Sequence, residues 1–566
     1  MKKITFFLIF LPFLNFGQIQ IGQDIDGEMI NDQSGEIIGI SSDGLVLAIG
    51  SVNNDGNGID SGHVRIYEFN GTNWIQKGND IDGAAAGDLF GGAVSISSDG
   101  NTIAIGATNN DDNGTDSGHV RVFEFNGTNW VQKGIDLVAT DNEPDGDRFG
   151  KTVSLSDDGN TLAVSSVDND FGTGIIFFDF VRIYEYINNS WVQKGSDIFS
   201  NEIGSSFGWS LSLSSNGNIV AIGDQLKDAN GNDSGDVQIY EFNGTNWIQK
   251  GSSLIGLSSF DRSGYSLSLS GDGNIVAIGA PASGENGSLS GHVIIYEFNI
   301  DNWIQKGMIL YGENLGYQFG RSLSLSEDGS LLAIGAIGYS NSTEANNTTG
   351  GVYIYKFNLD SWVQIANVIE GEALYDAFGV SVSISDERNI VAIGALNNDG
   401  NGTDSGHVRV YSIASELALL EVVEDIAGNS NGINVSAEQL NAIEGVSGAI
   451  DGVNYTTALQ NGTYSDSSSP TAIEIQFVIN QVNASLSLVD YNSLKFSIYP
   501  NPTRDQFIIH LDNLSDLQNV TVYNNLGQLV LTSKEGIINT SKLSSGLYAV
   551  KVETTKGKGS KNLIIE

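Results

Sequence analysis

The sequence predicts an all-β chain: a seven-bladed β-propeller closed by its N-terminal strand, then a small helical spacer and a C-terminal β-sandwich. Three observations predict it. One short unit recurs seven times, with Gly44, Gly100, Gly159, Gly217, Gly273, Gly329 and Arg388 in one column. Each unit reads as four short strands. A fourth-strand sequence stands ahead of the first unit, and the seventh unit lacks one.

The elements follow in chain order. Lys2 and Lys3 precede an apolar run from Ile4 to Phe16. A basic start and a short apolar core describe a secretory signal peptide, expected over 1–17 and too short to span a bilayer. The propeller is expected over 18–414. Its second unit is the cleanest: Phe90-Gly91-Gly92-Ala93-Val94-Ser95-Ile96, then Thr102-Ile103-Ala104-Ile105-Gly106-Ala107, then Gly118-His119-Val120-Arg121-Val122-Phe123, then Trp130-Val131-Gln132-Lys133-Gly134. We call these strands a to d. Strand b has almost no polar residue, whereas strand d carries Gln and Lys, so a and b are expected innermost with both faces covered. A lone four-stranded sheet cannot bury two faces, and seven of them in a ring make a propeller.

Ile19-Gln20-Ile21-Gly22-Gln23-Asp24-Ile25-Asp26-Gly27 aligns with Ile75-Gln76-Lys77-Gly78-Asn79-Asp80-Ile81-Asp82-Gly83, a full strand d. The seventh unit stops at Ile413, after strand c. The N-terminal segment is therefore expected to complete the last blade, which removes two open sheet edges. Trp74, Trp130, Trp191, Trp247, Trp303 and Trp362 share one place on strand d and are expected to pack between blades.

Phe-Gly opening strand a and Ile-Gly-Ala closing strand b resemble the FG-GAP repeats of integrin-α-like propellers, over about Gln18 to Ile413. The first copy has Ser34-Gly35 for Phe-Gly, the fifth has Ser263-Gly264, and the fifth alone reads Gly279-Ala280-Pro281. The resemblance implies a binding and adhesion surface without catalysis, often with calcium in its loops.

Residues 415–490 change period. Ser436-Ala437-Glu438-Gln439 is a capping box, Val453–Gln460 reads as a short helix, and Pro470 is expected at a first helical position. This is the expected spacer. From 491 to 566 alternating runs return between Asn, Gly, Pro and Ser turns. Phe496-Ser497-Ile498-Tyr499-Pro500-Asn501-Pro502, Val522-Tyr523-Asn524-Asn525-Leu526-Gly527-Gln528 and Leu543-Ser544-Ser545-Gly546-Leu547-Tyr548 occur in that order. The segment resembles the type A C-terminal sorting domain of the Bacteroidetes type IX secretion system. That resemblance implies a chain carried through the periplasm, recognised by the outer-membrane export machinery, and released or held at the cell surface.

Composition narrows the chemistry. Asp plus Glu is 68 against 26 Lys plus Arg, a net charge of −42, which repels nucleic acid and anionic lipid. Cysteine is absent, so thiol catalysis, disulfides and cysteine-ligated zinc are excluded. Beyond the leader no stretch is apolar enough for a transmembrane span. Four of five His (His63, His119, His292, His407) hold one repeat position, a structural pattern rather than four active sites. No catalytic residue and no cofactor-binding residue is assigned, and the chain is expected not to be an enzyme.

The b–c loops are the candidate metal sites. They place Asn53, Asp55, Asn57 and Asp60 in the first unit, Asn109, Asp111, Asn113 and Asp116 in the second, Asp228, Asn230 and Asp233 in the fourth, and Asn397, Asp399, Asn401 and Asp404 in the seventh. Oxygens at places one, three and five with Gly at six suit a weak Ca²⁺ site, and the same residues equally make tight turns. The apolar Phe171–Phe180 loop, and the sixth loop with Ile337-Gly338-Tyr339-Ser340 and its Asn/Thr-rich tip, break the pattern and are candidate recognition elements. The expectation is an exported surface or secreted binding and adhesion protein for an unknown surface protein or glycan. A glycan hydrolase or lyase using paired acids near the channel, and a structural envelope protein, stand as alternatives.

Overall fold

The computed structural model describes residues 18–139, 148–167, 179–202, 204–340, 348–428, 432–465, 467, 470–487, 496–511, 517–524, 528–555 and 557–565. The expected signal peptide, the Phe171–Phe178 portion of the third b–c loop and the tip of the sixth lie outside these residues. The chain divides into two compact units, one holding the repeats through 435 and the other holding most of the chain from 436 onward.

In the first unit, seven antiparallel sheets share one plan among the described residues. The second comprises Phe90–Ile96, Thr102–Ala107 and His119–Phe125, with Trp130–Gln132 and Leu137–Val138 as two pieces of strand d on the same edge. Strand d breaks because Gly134 turns through φ +89°. In the last sheet, Ser381–Ile384, Ile390–Ala395 and His407–Ser412 are completed by Ile19–Gln20 and Ile25–Asp26. Ile19 pairs with Ser412 and Ile25 with Val408. The strands a are neighbours in cyclic order, the last lying beside the first.

Strand b is buried along its whole length in every blade, which is why its sequence has almost no polar residue. Strand a alternates with Ser for a different reason. Its hydroxyl accepts the next blade's backbone N–H, as in Leu155 N–H to Ser95 Oγ at 2.9 Å and Leu269 N–H to Ser212 Oγ at 3.1 Å. Ser383 accepts from Ile40 at 3.3 Å and carries the pattern from last blade to first.

The two glycines of the repeat meet each other. A Cβ on Gly150 would lie 2.7 Å from the His119 carbonyl oxygen, and its φ of +94° also favours glycine. A Cβ on Gly106, in the preceding strand b, would lie 2.2 Å from the Gly150 carbonyl. The same approach recurs from Gly394 to Gly35. Phe-Gly and Ile-Gly are thus two sides of one inter-blade contact.

The six repeated Trp sit between blades. Trp303 is buried and donates Nε1–H to the Lys250 carbonyl of the preceding blade at 2.7 Å. Lys250 crosses the same junction, donating to the Gly273 carbonyl at 3.0 Å and to Asn274 Oδ1 at 2.7 Å, above the Phe298 ring.

Sequence analysis did not foresee helix α1 (Ala414–Ile426), which follows directly from the last strand c. It belongs to the first unit and packs Leu417 against the core cluster that contains Tyr411 and Ile413. The expected spacer is therefore divided. Helices α2 (Ala437–Ala442), α3 (Thr456–Gln460) and α4 (Ala472–Ser487) follow. The Ser436 capping box forms: Gln439 N–H donates to Ser436 Oγ and Ser436 N–H to Gln439 Oε1. Pro470 is not the first residue of α4, because Thr471 caps that helix with Glu474 in a second reciprocal box. The C-terminal segment packs a three-stranded and a four-stranded antiparallel sheet around Phe507, Ile509, Val520, Val550 and Leu563.

Candidate functional site

Strands alternate in direction, so the d–a and b–c loops emerge on one face of the ring and the a–b turns on the other. The repeated His opens strand c and is buried, at 1% exposure in all four blades. Burial lowers His63, His292 and His407 to about 4. Such imidazoles are neutral and withdrawn from solvent, a structural column rather than a set of catalytic bases.

The candidate b–c loops are turns bonded within the chain. Asp60 N–H donates to Asp55 Oδ1 at 2.9 Å, and the pairs Asp116–Asp111, Asp233–Asp228 and Asp404–Asp399 repeat this. Asn57 and Asn113 donate to carbonyls of the following d–a loop, Gly83 and Ala139, and Asn230 and Asn401 do likewise to Leu257 and Gly27. Asn53 donates to Gln33 and Asn397 to the Tyr375 carbonyl, while Asn109 accepts from Thr108. The structure thus keeps the four sets in four separate loops. The neighbours Asn54, Asn110 and Asn398, which sequence reasoning passed over, are buried and donate to the buried Asp32, Asp88 and Asp376.

Among the described residues, two groups of three possible ligands approach within 4.8 Å, Asp24–Glu372–His407 and Glu28–His63–Asp80. Neither uses the predicted loop residues. Arg409 already pairs with Asp24, at 3.0 and 2.7 Å, and with Glu372. Arg65 lies 3.5 Å from Glu28. These groups read as ion-pair networks, with the positive charge supplied by arginine.

The axis of the ring offers more. At its a–b end, backbone bonds run from turn to turn: Ser42 to Ser98, Ser98 to Asp157, Asp157 to Ser215, Ser215 to Gly271 and Gly271 to Glu327, with Glu387 returning to Ser42. Asp157 and Glu327 share a hydrogen bond. Burial and that bond push Asp157 up to about 6, and the same bond lowers Glu327. Burial likewise raises the nearby Asp386 to about 6.

At the opposite, long-loop end lies the residue following each Phe-Gly: Glu36, Gly92, Lys151, Trp209, Tyr265, Arg321 and Val380. All seven differ and all seven are half-buried. In the second and fourth blades this residue lies in a bulge, with register shifts between Phe90 and Ala93 and between Phe207 and Ser210. Bulges re-aim side chains. Ser210, Ser266, Ser322 and Ser381 each donate, at 2.7–2.8 Å, to the carbonyl of the glycine just before this position in the next blade, Gly264, Gly320, Gly379 and Gly35. Four neighbours form one arc. Lys151 Nζ lies 4.7 Å from the Trp209 ring centre, Trp209 and Tyr265 are 5.7 Å apart, and Arg321 lies 4.5 Å from the Tyr265 ring centre. Burial lowers both cations, and Glu36 is the acid that acts on each of them. Sequence analysis missed this ring. Its signal was present as the column in which a repetitive protein does not repeat.

This is an all-β repeat scaffold of the propeller type with a separate C-terminal export module. The profile of the FG-GAP repeat matches residues 81–123 and 362–411, and that of the Secretion system C-terminal sorting domain matches 497–566. The chain accordingly carries FG-GAP repeats and a type IX secretion system C-terminal sorting domain. It is secreted or attached at the cell surface by that system and engages the type IX machinery. An ulvan lyase of Nonlabens ulvanivorans, NLR42, is 34% identical over 84 residues, which is 14% of this chain and 16% of that protein. The chain thus spans about a sixth of the curated relative it matches. Among solved structures, the periplasmic gluconolactonase of Pseudomonas aeruginosa is 15% identical, covering 63% of this chain and 90% of its own, with TM-score 0.41. The oligogalacturonate lyase of Vibrio parahaemolyticus is 11% identical over 71% and 97%, with TM-score 0.39. At these scores they add nothing to the strand pairings described above. Among the described residues no helix is long and apolar enough to cross a membrane.

Proposed function

We propose that the chain is an exported binding and adhesion protein that meets its ligand, a surface protein or a glycan, on the long-loop face around the channel mouth. The observation that supports this reading is the ring from Glu36 to Val380, seven different residues in one repeat position at the long-loop end of strand a. A hydrolase is the second reading, because Asp157 and Glu327 bring acids from two blades together. A glycosidase needs its carboxyls ~5–9.5 Å apart to admit a sugar and a nucleophile. Asp157 and Glu327 act directly on one another, the first raised and the second lowered, so they are closer than such a gap allows, and theirs is the end ringed by backbone bonds. Binding arrays of glycans and surface proteins probed with the full chain test the proposal. Retention of a ligand without its cleavage is expected, and release of shortened or unsaturated products would overturn it.

Calcium enters the same proposal as a weak loop ligand. The exposed carboxylates Asp55, Asp111, Asp228 and Asp399 each already accept a backbone N–H, which leaves affinity in the ~10⁻⁴–10⁻³ M range. Calorimetric titration is expected to saturate only near millimolar calcium. Absence of heat there removes calcium from the reading.

A further inference from the structure

We propose that the Lys151–Trp209–Tyr265–Arg321 arc at the channel mouth binds a sugar ring bearing an anionic group, the residue of an acidic glycan. This rests on the binding reading above and names the ligand class for the same face.

The arc has the two parts such a ligand requires. Two half-buried aromatic rings, 5.7 Å apart and tilted 54° to each other, offer apolar faces to a ligand. Aromatic faces carry negative charge density and attract the C–H face of a pyranose, while excluding water from it. A cation stands at each end, 4.7 Å over one ring and 4.5 Å over the other. Among the described residues neither Lys151 nor Arg321 has an ion-pair or hydrogen-bonded acid, although the chain carries 68 carboxylates. Three other buried cations are engaged: Arg409 holds two acids, Arg182 pairs with Asp197, and Lys250 is bonded at a blade junction. Two partly desolvated cations without a bonded acid, on a protein of net charge −42, mark a place prepared for an external anion. Arginine offers a planar fork for a carboxylate or sulfate, and lysine a mobile point charge. Stacking without charge would suit a neutral sugar, and charge without stacking an inorganic anion. The arc combines both.

Position supports the same occupant. The arc lies on the long-loop face, so an extended polymer could lay one residue on the mouth. The surrounding acid repels a densely charged polyanion such as nucleic acid. It tolerates a chain whose charge is spaced one per sugar or fewer.

The test is calorimetry on the full chain with three oligosaccharides of equal length: a uronate oligomer, a sulfated oligomer and a neutral one. At least one acidic oligomer is expected to bind at least about tenfold more tightly than the neutral one, and the arm that binds identifies the anion. Trp209→Ala is expected to weaken binding about tenfold, an aromatic contact of this kind being worth roughly 1.4 kcal/mol. Lys151→Met with Arg321→Met is expected to remove the preference for acid over neutral. Both variants change half-buried side chains, and an unchanged thermal midpoint establishes that they fold. Equal affinity for neutral and acidic oligomers, or acidic binding that survives both variants, overturns the proposal. A ligand held on this face but indifferent to the arc leaves the binding reading standing and removes only the acidic sugar. Cleavage of the acidic oligomer removes the binding reading and keeps the arc as a sugar site.

Discussion

Gly150 carries two constraints at once, a φ of +94° and a gap of 2.7 Å between a would-be Cβ and the His119 carbonyl. Gly150→Ala is therefore expected to destabilise the protein by about 2–3 kcal/mol, read as a lower denaturation midpoint with unchanged slope. The buried titratable residues yield a second prediction. His292, held by burial at about 4 against an ordinary 6.5, stays neutral in the fold while the unfolded chain protonates first. Its cost is absent above pH 6.5 and grows as pH falls toward 4, to on the order of 3 kcal/mol. Asp236 occupies the equivalent place in the fourth blade and is raised to about 7, by burial first and then by Asp224. Its folded form keeps a proton that the unfolded form loses, so its penalty appears as pH rises from about 4 and is complete above 7. Relative to the parent chain, His292→Asn is expected to gain stability below pH 6.5 and Asp236→Asn above pH 4, with the differences compared across a pH series of urea melts. At this scale the sequence told which residues repeat, but not why. The strand a serines and the two glycines were legible as pattern, while their partners lie one blade away.

At the level of strands and turns, repeated Trp, Lys and serine contacts hold most blade junctions in addition to hydrophobic area. Trp303→Ala, which removes a buried indole and its bond to Lys250, is expected to cost about 3–5 kcal/mol, measured as a loss of unfolding free energy. The strand order within a blade was readable because polarity rises from b to d. Helix α1 was not, since Ala414–Ile426 follows strand c with no separating turn, and Ile413 offers no side-chain cap. The b–c loops mislead for a physical reason. Asp and Asn at alternating places serve a cation or a turn equally, and sequence spacing does not reveal whether the oxygens already hold N–H groups. Here Asp55 and its equivalents do.

Across the whole molecule, closure depends on nine residues from Gln18 to Asp26. They supply the outer strand of the last blade, the Asp24 partner of Arg409, and Ile25 in the core beneath it. A variant lacking 18–26 exposes an edge of strand c and leaves Arg409 with Glu372 alone, and is expected to self-associate and melt at least about 10 °C lower. Light scattering and a thermal melt check this. The circular plan was legible in the sequence because a displaced strand d is an arithmetic surplus at one end and a deficit at the other. The channel mouth was hidden because side chains far apart in sequence converge there only once the ring forms.

Ile19 faces Ser412 across that last pairing, so the chain enters and leaves the wheel at one spot. Joining those ends and cutting the chain at another blade boundary would give a circular permutant with the same rim and hub. A force applied between the native ends would peel this one seam open pair by pair, and would not shear seven blades together.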